Sequence, residues 1–252
     1  MLRVSEAFNS IQGEGIHNGI PSHFIRFSKC ILKCPYCDTK YSWKDGDINL
    51  SDIKIPDNIR HIVITGGEPF LHIYNEEFID FIKKLLYNFK KITFETTGIS
   101  SLEYFKTKSI VDSIFIFNEQ FENINNNSIC YMISPKLDSS CYPDNIANIE
   151  NITKYYSNLV SIHDTFKNKN IFYKIVYYPE IEDKIKYFLF DSGKISPWFI
   201  ENRVFLMPKM EIPYNQKKYT DDCKLTVNKC MEWNIRYSAR IHIDIYGNIK
   251  GV

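Results

Sequence analysis

Apolar residues recur along the chain at two spacings. Short runs of β-branched and aromatic residues bounded by turn residues predict strands at "SHFIRFS" (22–28), "HIVIT" (61–65), "KITFET" (91–96), "SIFIF" (113–117), "CYMIS" (130–134), "IFYKIVYY" (171–178), "RVFLM" (203–207) and "RIHIDIY" (240–246). The longer period is clearest in "NEEFIDFIKKLLYNF" (75–89). There Phe78, Ile82, Leu85 and Phe89 share a helical face, Asn75 can cap it, and Glu76 and Glu77 sit at its positive end. Helical patterns also cover roughly 143–159 and 219–236, and in the second Cys223, Val227 and Cys230 fall on one core-facing side. Strands alternating with helices predict an α/β fold with a mostly parallel sheet. No repeat or linker divides the 252 residues, so a single domain over 1–252 is expected. The asparagine-rich 122–129 reads as an exposed loop, and 180–200 shows no readable period.

Composition narrows the classes. With 44% apolar and 24% charged residues the chain is ordinary for a soluble domain, and a net charge of +1 gives no reason to expect nucleic acid or an anionic membrane as partner. No apolar run approaches the ~20 residues of a membrane span. The start, "MLRVSEAFNS", lacks the basic, apolar and small-residue succession of a signal peptide, so a cytoplasmic location is expected. There thiols stay reduced, and clustered cysteines point to metal or catalysis.

Three of the seven cysteines, Cys30, Cys34 and Cys37, crowd into "CILKCPYC" with no fourth ligand beside them. Cys130 falls in a predicted strand and Cys141 in the following loop. The 10 glycines are similarly uneven: six occur in "IQGEGIHNGIP" (11–21), "TGGEP" (65–69) and "ETTG" (95–98). The second and third of these follow predicted strands, as the cysteine run does, and ligands in parallel α/β folds gather at the carboxyl ends of strands. An iron–sulfur cube needs four ligands, and three thiolates leave one iron open for a small molecule.

The spacing C-x3-C-x2-C, with aromatic Tyr36 between the last two thiols, resembles the signature of the radical S-adenosylmethionine superfamily. "TGGEP" resembles its second motif. The resemblance implies a [4Fe–4S] cluster on Cys30, Cys34 and Cys37, whose open iron is chelated by S-adenosylmethionine and whose electron cleaves it to a hydrogen-abstracting 5′-deoxyadenosyl radical. A finer resemblance runs through "EAFNSIQGEG" (6–15), "FIRF" (24–27), "CDTKYSW" (37–43), "TGGEP", "ETTG", "SPK" (134–136), "MPK" (207–209) and "RIHIDIYGNIKGV" (240–252), and it is to the 7-carboxy-7-deazaguanine synthases.

That family implies an incomplete (β/α) barrel, a homodimer, and ring contraction of 6-carboxy-5,6,7,8-tetrahydropterin with loss of ammonia. It uses S-adenosylmethionine, Mg²⁺ and a reductant such as flavodoxin or ferredoxin. Residue by residue it implies S-adenosylmethionine contacts at Tyr36, Cys37, Asp38, Gly66, Gly67, Glu68, Gly98, Ser134, Pro135 and Lys136, with Glu68 on the methionine amino group, and a magnesium hydroxyl at Thr39. Substrate contacts are implied at Ile11, Gln12, Gly13, Glu14, Arg26, Thr96, His242 and the Val252 carboxylate, with Arg26 as the fork for the substrate carboxylate. Plain structural alternatives stand beside these: a sheet-face salt bridge for Arg26, a capping role for Glu14, and a local turn hydrogen bond for Thr39. The chain ends in Val252 where some members end in proline. His17, His23, His61, His72 and His163 read as structural or surface residues.

Rival readings make distinct predictions. A glycyl-radical activase shares the cysteine spacing but is not expected to carry "SIQGEG" or the C-terminal closure. A zinc-stapled binding module requires a fourth ligand such as Cys130 or Cys141.

Overall fold

The computed structural model describes residues 1–88, 90–103, 110–121, 128–143, 147–161 and 170–251. Phe89, most of the 122–129 loop, His163 and Val252 lie outside them. Strands β1 (Arg3–Ile11), β2 (Pro21–Phe27), β3 (Ile48–Asn49), β4 (His61–Gly66), β5 (Lys91–Thr96), β6 (Ile129–Ile133), β7 (Asn170–Tyr177), β8 (Val204–Pro208) and β9 (Arg236–Tyr237) form one sheet ordered β3-β1-β2-β4-β5-β6-β7-β8-β9. From β2 through β9 neighbouring strands are parallel, and β1 and β3 add antiparallel pairs at one side. The helices are α1 (Glu76–Tyr87), α2 (Ile110–Glu119), α3 (Ile149–Ser161), α4 (Glu182–Lys186), α5 (Pro197–Arg203), α6 (Gln216–Trp233) and α7 (Ile241–Tyr246).

The central strands are buried along both faces, which is why they read as continuous apolar runs rather than alternating ones. All five residues of β6 are buried, as are Ile62, Val63 and Ile64 of β4. Helix α1 behaves as its spacing predicts: Phe78, Ile82 and Leu85 are buried, and Asn75 Oδ1 accepts from Phe78 N at 3.2 Å. Phe78 joins Phe70, Phe94 and Phe117 in an edge-to-face aromatic cluster under the sheet.

Two predicted strands are helices. "SIFIF" (113–117) lies in α2, where Ile110, Ile114, Phe117 and the following Phe121 are buried at helical spacing, while Phe115 faces outward. "RIHIDIY" (240–246) alternates like a strand, yet it is the turn of α7: only Ile243 enters a core, against Met210 and Tyr219, and Ile245 is exposed. The sheet is also open, with β3 and β9 at its two edges, so the architecture is mixed α/β around a single open sheet rather than a closed barrel. In α6 Cys230 is buried and Cys223 half-buried, but Val227 is 40% exposed, so the predicted face holds at its ends only. The stretch 180–200 consists of α4, a wider helical turn at Tyr187–Asp191, and α5.

Candidate functional site

Parallel strands β2, β4, β5 and β6 deliver four loops to one end of the sheet. Backbone hydrogen bonds sew these loops together. Gly67 N donates to Phe27 O at 3.0 Å, Glu68 N to Lys29 O at 2.8 Å, and Ser134 N to Thr96 O at 2.7 Å. Lys33 N donates to Cys141 O at 2.8 Å, which ties the cysteine loop to the segment after β6. Gly67 is required by this closeness, since a Cβ there would stand 2.0 Å from Lys29 O.

The loops enclose one side of a cavity of about 440 Å³, within the range of small-molecule sites. Cys30, Cys34 and Cys37 all line it, with Tyr36, Asp38, Thr39, Gly66, Gly67, Thr96, Ser134 and Lys136. Ile11, Gln12, Glu14, Arg26 and His242 line it too. Gly13, Glu68, Gly98 and Pro135 are not on its wall. Gly13 lies just behind, packed so tightly under α7 that a Cβ would meet His242 Nδ1 at 2.2 Å. Gly98 O accepts from Tyr155 at 2.7 Å. Glu68 is fully buried and accepts from four donors: Thr96 and Thr97 hydroxyls, Phe70 N at 2.9 Å and Thr97 N at 2.7 Å. It thus clamps the "TGGEP" loop to "ETTG". Burial, outweighing these four neutral donors, raises its pKa.

The opposite wall is ionic. After β1 the chain turns inward, and Gln12 Nε2 donates to Glu95 Oε1 at 3.0 Å. Lys174, the lone charge inside β7, donates at 2.5 Å to both Glu14 Oε2 and Glu95 Oε2. Arg240, at the head of α7, donates to Glu14 Oε1 at 2.9 Å and to Asp38 Oδ2 at 2.5 Å. Burial pushes the Glu14 pKa up, but Lys174, Arg240 and His242 together hold it well below the carboxylate range. Burial dominates at Glu95, whose pKa rises despite Lys174. Arg26 pairs through its Nε with Glu6 at 2.6 Å, and it also lines the cavity. Thr39 likewise lines the cavity while its carbonyl accepts from Ser42 in a local turn. His23 and His61 are buried away from the cavity. His61 sits between Ser22 and Thr93 at 2.7 and 2.8 Å, and His17 reaches the same Thr93 at 2.8 Å.

Lys174, Glu95, Arg240, Glu6 and Tyr41 were given no site role, although all but Lys174 lie within the quoted motifs. A charge set inside an apolar strand, as in "IFYKIVYY" and "KITFET", is the signal that marks the first two. The C-terminal segment does reach the cavity, through Asn248 to Gly251, although as a helix and tail rather than a strand.

The donor set fits an iron–sulfur cube. All seven cysteines are free, and three of them open onto one space. Among the described residues no three His, Cys, Asp or Glu side chains are gathered to hold a single metal ion. A cube, which takes each thiolate on a different iron, asks instead for a wider triangle around a shared space. Burial and then Glu68 push the Cys30 thiol up to about 12, so iron binding there displaces a proton.

Residues 11–127, which contain the cysteine and "TGGEP" loops, match the family described as "4Fe-4S single cluster domain". That match, to an iron–sulfur family, covers a little less than half of the chain. More particularly, the chain is a relative of proteins named 7-carboxy-7-deazaguanine synthase. It is 37% identical to that of Methanospirillum hungatei over 101 residues, 38% of this chain and 42% of the relative. It is 26% identical to that of Pyrobaculum aerophilum over 257 aligned positions, 99% of this chain and 97% of the relative. The first match thus spans less than half of the relative's length, and the second nearly all of it. The fold resembles a crystal structure of QueE from Escherichia coli, with a TM-score of 0.53 at 21% identity, over 94% of this chain and 92% of the other.

Proposed function

We propose that the chain is a radical S-adenosylmethionine enzyme making 7-carboxy-7-deazaguanine from 6-carboxy-5,6,7,8-tetrahydropterin, with loss of ammonia. The observation that carries this reading is one cavity with two unlike walls, three thiols on one and paired acids and bases on the other. When bound and reduced, the cluster would supply the electron that cleaves S-adenosylmethionine, whose radical fragment would take a hydrogen atom from substrate.

The chain's residues divide the remaining work. Cys30, Cys34 and Cys37 would hold the cluster. Tyr36, Asp38, Gly66, Gly67, Ser134 and Lys136 face the S-adenosylmethionine side, and Glu68 lends its negative charge to the amino group from behind the glycines. Arg26 has its Nε engaged by Glu6, and the guanidinium fork suits the substrate carboxylate. Gln12, Glu14 and Glu95 offer acceptors suited to the N–H-rich edge of an aminopyrimidinone, with Thr96, His242 and Ile11 completing that wall. Thr39 would share a Mg²⁺ with substrate oxygens, as a hard cation prefers. The reading also includes curling of the open sheet as an incomplete barrel, a homodimer, a flavodoxin- or ferredoxin-type reductant, and a cytoplasmic setting.

The test is anaerobic reconstitution with iron and sulfide, then dithionite, S-adenosylmethionine, Mg²⁺ and 6-carboxytetrahydropterin, with product read by mass spectrometry. Product that disappears in Cys34→Ala supports the proposal. Cleavage of S-adenosylmethionine without product would sink the substrate, and colourless protein holding zinc would sink the chemistry.

A further inference from the structure

The loop between β1 and β2 carries Gln12 and Glu14, and a ring of hydrogen bonds begins and ends in it. His17 Nδ1 meets Thr93 Oγ1 of β5 at 2.8 Å. The same oxygen meets His61 Nε2 of β4 at 2.8 Å. His61 Nδ1 meets Ser22 Oγ of β2 at 2.7 Å, and Ser22 Oγ donates to Ile20 O at 2.8 Å, back in the loop. Ile20 N donates to His17 O at 3.1 Å and closes the ring. None of His17, Ser22, His61 and Thr93 lines the cavity.

One set of proton positions satisfies every contact. A carbonyl only accepts, so the single hydrogen of Ser22 goes to Ile20, and His61 donates to Ser22 from Nδ1. Neutral His61 then accepts at Nε2 from the Thr93 hydroxyl, which leaves Thr93 to accept from His17 Nδ1–H. Burial keeps both rings neutral at pH 7. It lowers the His17 pKa, helped by Lys91, and with His17 and Lys91 it brings that of His61 down to about 4. Thr93 and Glu95 lie two residues apart on β5 and so share a face of the sheet. The loop therefore grips that face twice, with His17 on Thr93 and Gln12 on Glu95. Inside the loop Gln12 N donates to Ile20 O at 2.8 Å and Gly19 N to Gln12 O at 2.7 Å, so a displacement of the His17 end carries Gln12 with it. Glu14 N donates to the Gln12 side chain at 3.2 Å and follows.

We propose that His17 is a positioning residue for the substrate: donating from Nδ1 to Thr93, it fixes the depth at which Gln12 and Glu14 meet the ring system. This rests on the substrate reading above. What matters is a neutral donor at one place, and that distinguishes the role from simple packing.

The experiment compares wild type with His17→Asn, His17→Gln and His17→Ala, all reconstituted anaerobically and left unreduced. An asparagine amide nitrogen takes the place of Nδ1 and a glutamine amide nitrogen that of Nε2, so the first alone restores the donor. Calorimetry reads 6-carboxytetrahydropterin binding with S-adenosylmethionine present, and S-adenosylmethionine binding by itself. His17→Ala and His17→Gln should weaken the pterin about tenfold, as one lost hydrogen bond can, while S-adenosylmethionine stays within about twofold. His17→Asn should return most of the way to wild type. Nitrogen-15 resonance of labelled wild-type histidines, with His17 assigned by its absence in the variants, should show the proton on Nδ1. Equal pterin affinity in wild type and His17→Ala overturns the proposal, as does an Nε2–H form of His17. So does His17→Asn that binds no better than His17→Gln, because packing would then account for the loss. If His17→Ala does not fold, Thr93→Val carries the test, since it keeps the shape and removes the acceptor; unchanged pterin affinity is again fatal. Wild type that binds S-adenosylmethionine and no pterin overturns the substrate reading underneath. The resonance of His17, which needs no ligand, then tells whether the hydrogen-bond ring fails with it.

Discussion

Two carboxylates stand on either side of the same cavity, Glu68 fully buried and Glu14 mostly so, and they are kept in opposite ways. Glu68 is held by two hydroxyls and two backbone N–H groups, all neutral and all from the loops after β4 and β5. Glu14 is held by cations that the fold brings from β7 and from the head of α7. Burial acts on both, yet one pKa rises and the other falls. The difference is one of charge balance. On the Glu14 wall three carboxylates, Glu14, Glu95 and Asp38, share the two cations Lys174 and Arg240. The printed partners of Glu68 itself are all neutral, an arrangement that suits a ligand bringing its own ammonium group.

The severest way to break this contrast is to take the cation from the ionic wall. Lys174→Met leaves Glu14 and Glu95 facing one another in the interior, and stranding buried charge typically costs ~3–5 kcal/mol. Urea unfolding at pH 7 should register that loss, and Lys174→Met combined with Glu95→Gln should recover a good part of it. A loss below about 1 kcal/mol would mean that solvent, not Lys174, balances the pair.

The neutral wall should respond more mildly. Thr97→Val removes one hydroxyl donor from Glu68 while Thr97 N and the other donors remain, so the expected cost is ~1–2 kcal/mol. The more telling consequence is local. Glu68 joins "TGGEP" to "ETTG", so S-adenosylmethionine affinity, measured by calorimetry on the reconstituted protein, should weaken while the cluster is retained. Unchanged affinity would detach Glu68 from that side of the site.

The two walls also differed in how far the sequence revealed them. The Glu68 wall follows strands whose apolar runs are legible, and its residues lie in short motifs, so the cysteine run, the glycine pair and "ETTG" could be placed together beforehand. The Glu14 wall joins residues 160 and 226 positions apart in the chain, and no periodicity reports such pairings. The two misread helices share a cause. In "SIFIF" and "RIHIDIY" the apolar run is too short to separate the two periods, and tertiary contacts at Phe117 and Ile243 decide the matter. Nothing local revealed β1 either, because its polar residues Glu6 and Asn9 find partners in Arg26 and His23 across the strand pair.

The gentlest test reads a slope rather than a loss of stability. The folded-state pKa of Glu14 lies below its ordinary 4.5, so its stabilising contribution is complete above pH 4.5 and is lost as pH falls from there toward the lowered value. For Glu68 the folded-state pKa is raised above 4.5. Between 4.5 and that raised value the folded protein keeps a proton that the unfolded chain has released, so its contribution diminishes as pH increases. Stability measured by urea titration from pH 3 to 7 should therefore flatten in different places in the two variants: below pH 4.5 in Glu14→Gln, and above it in Glu68→Gln. Flattening on the same side in both would mean that the loops and the ionic wall titrate as one unit. The charge balance of the cavity would then be shared across it, and a ligand's ammonium group would find no preference for the Glu68 side.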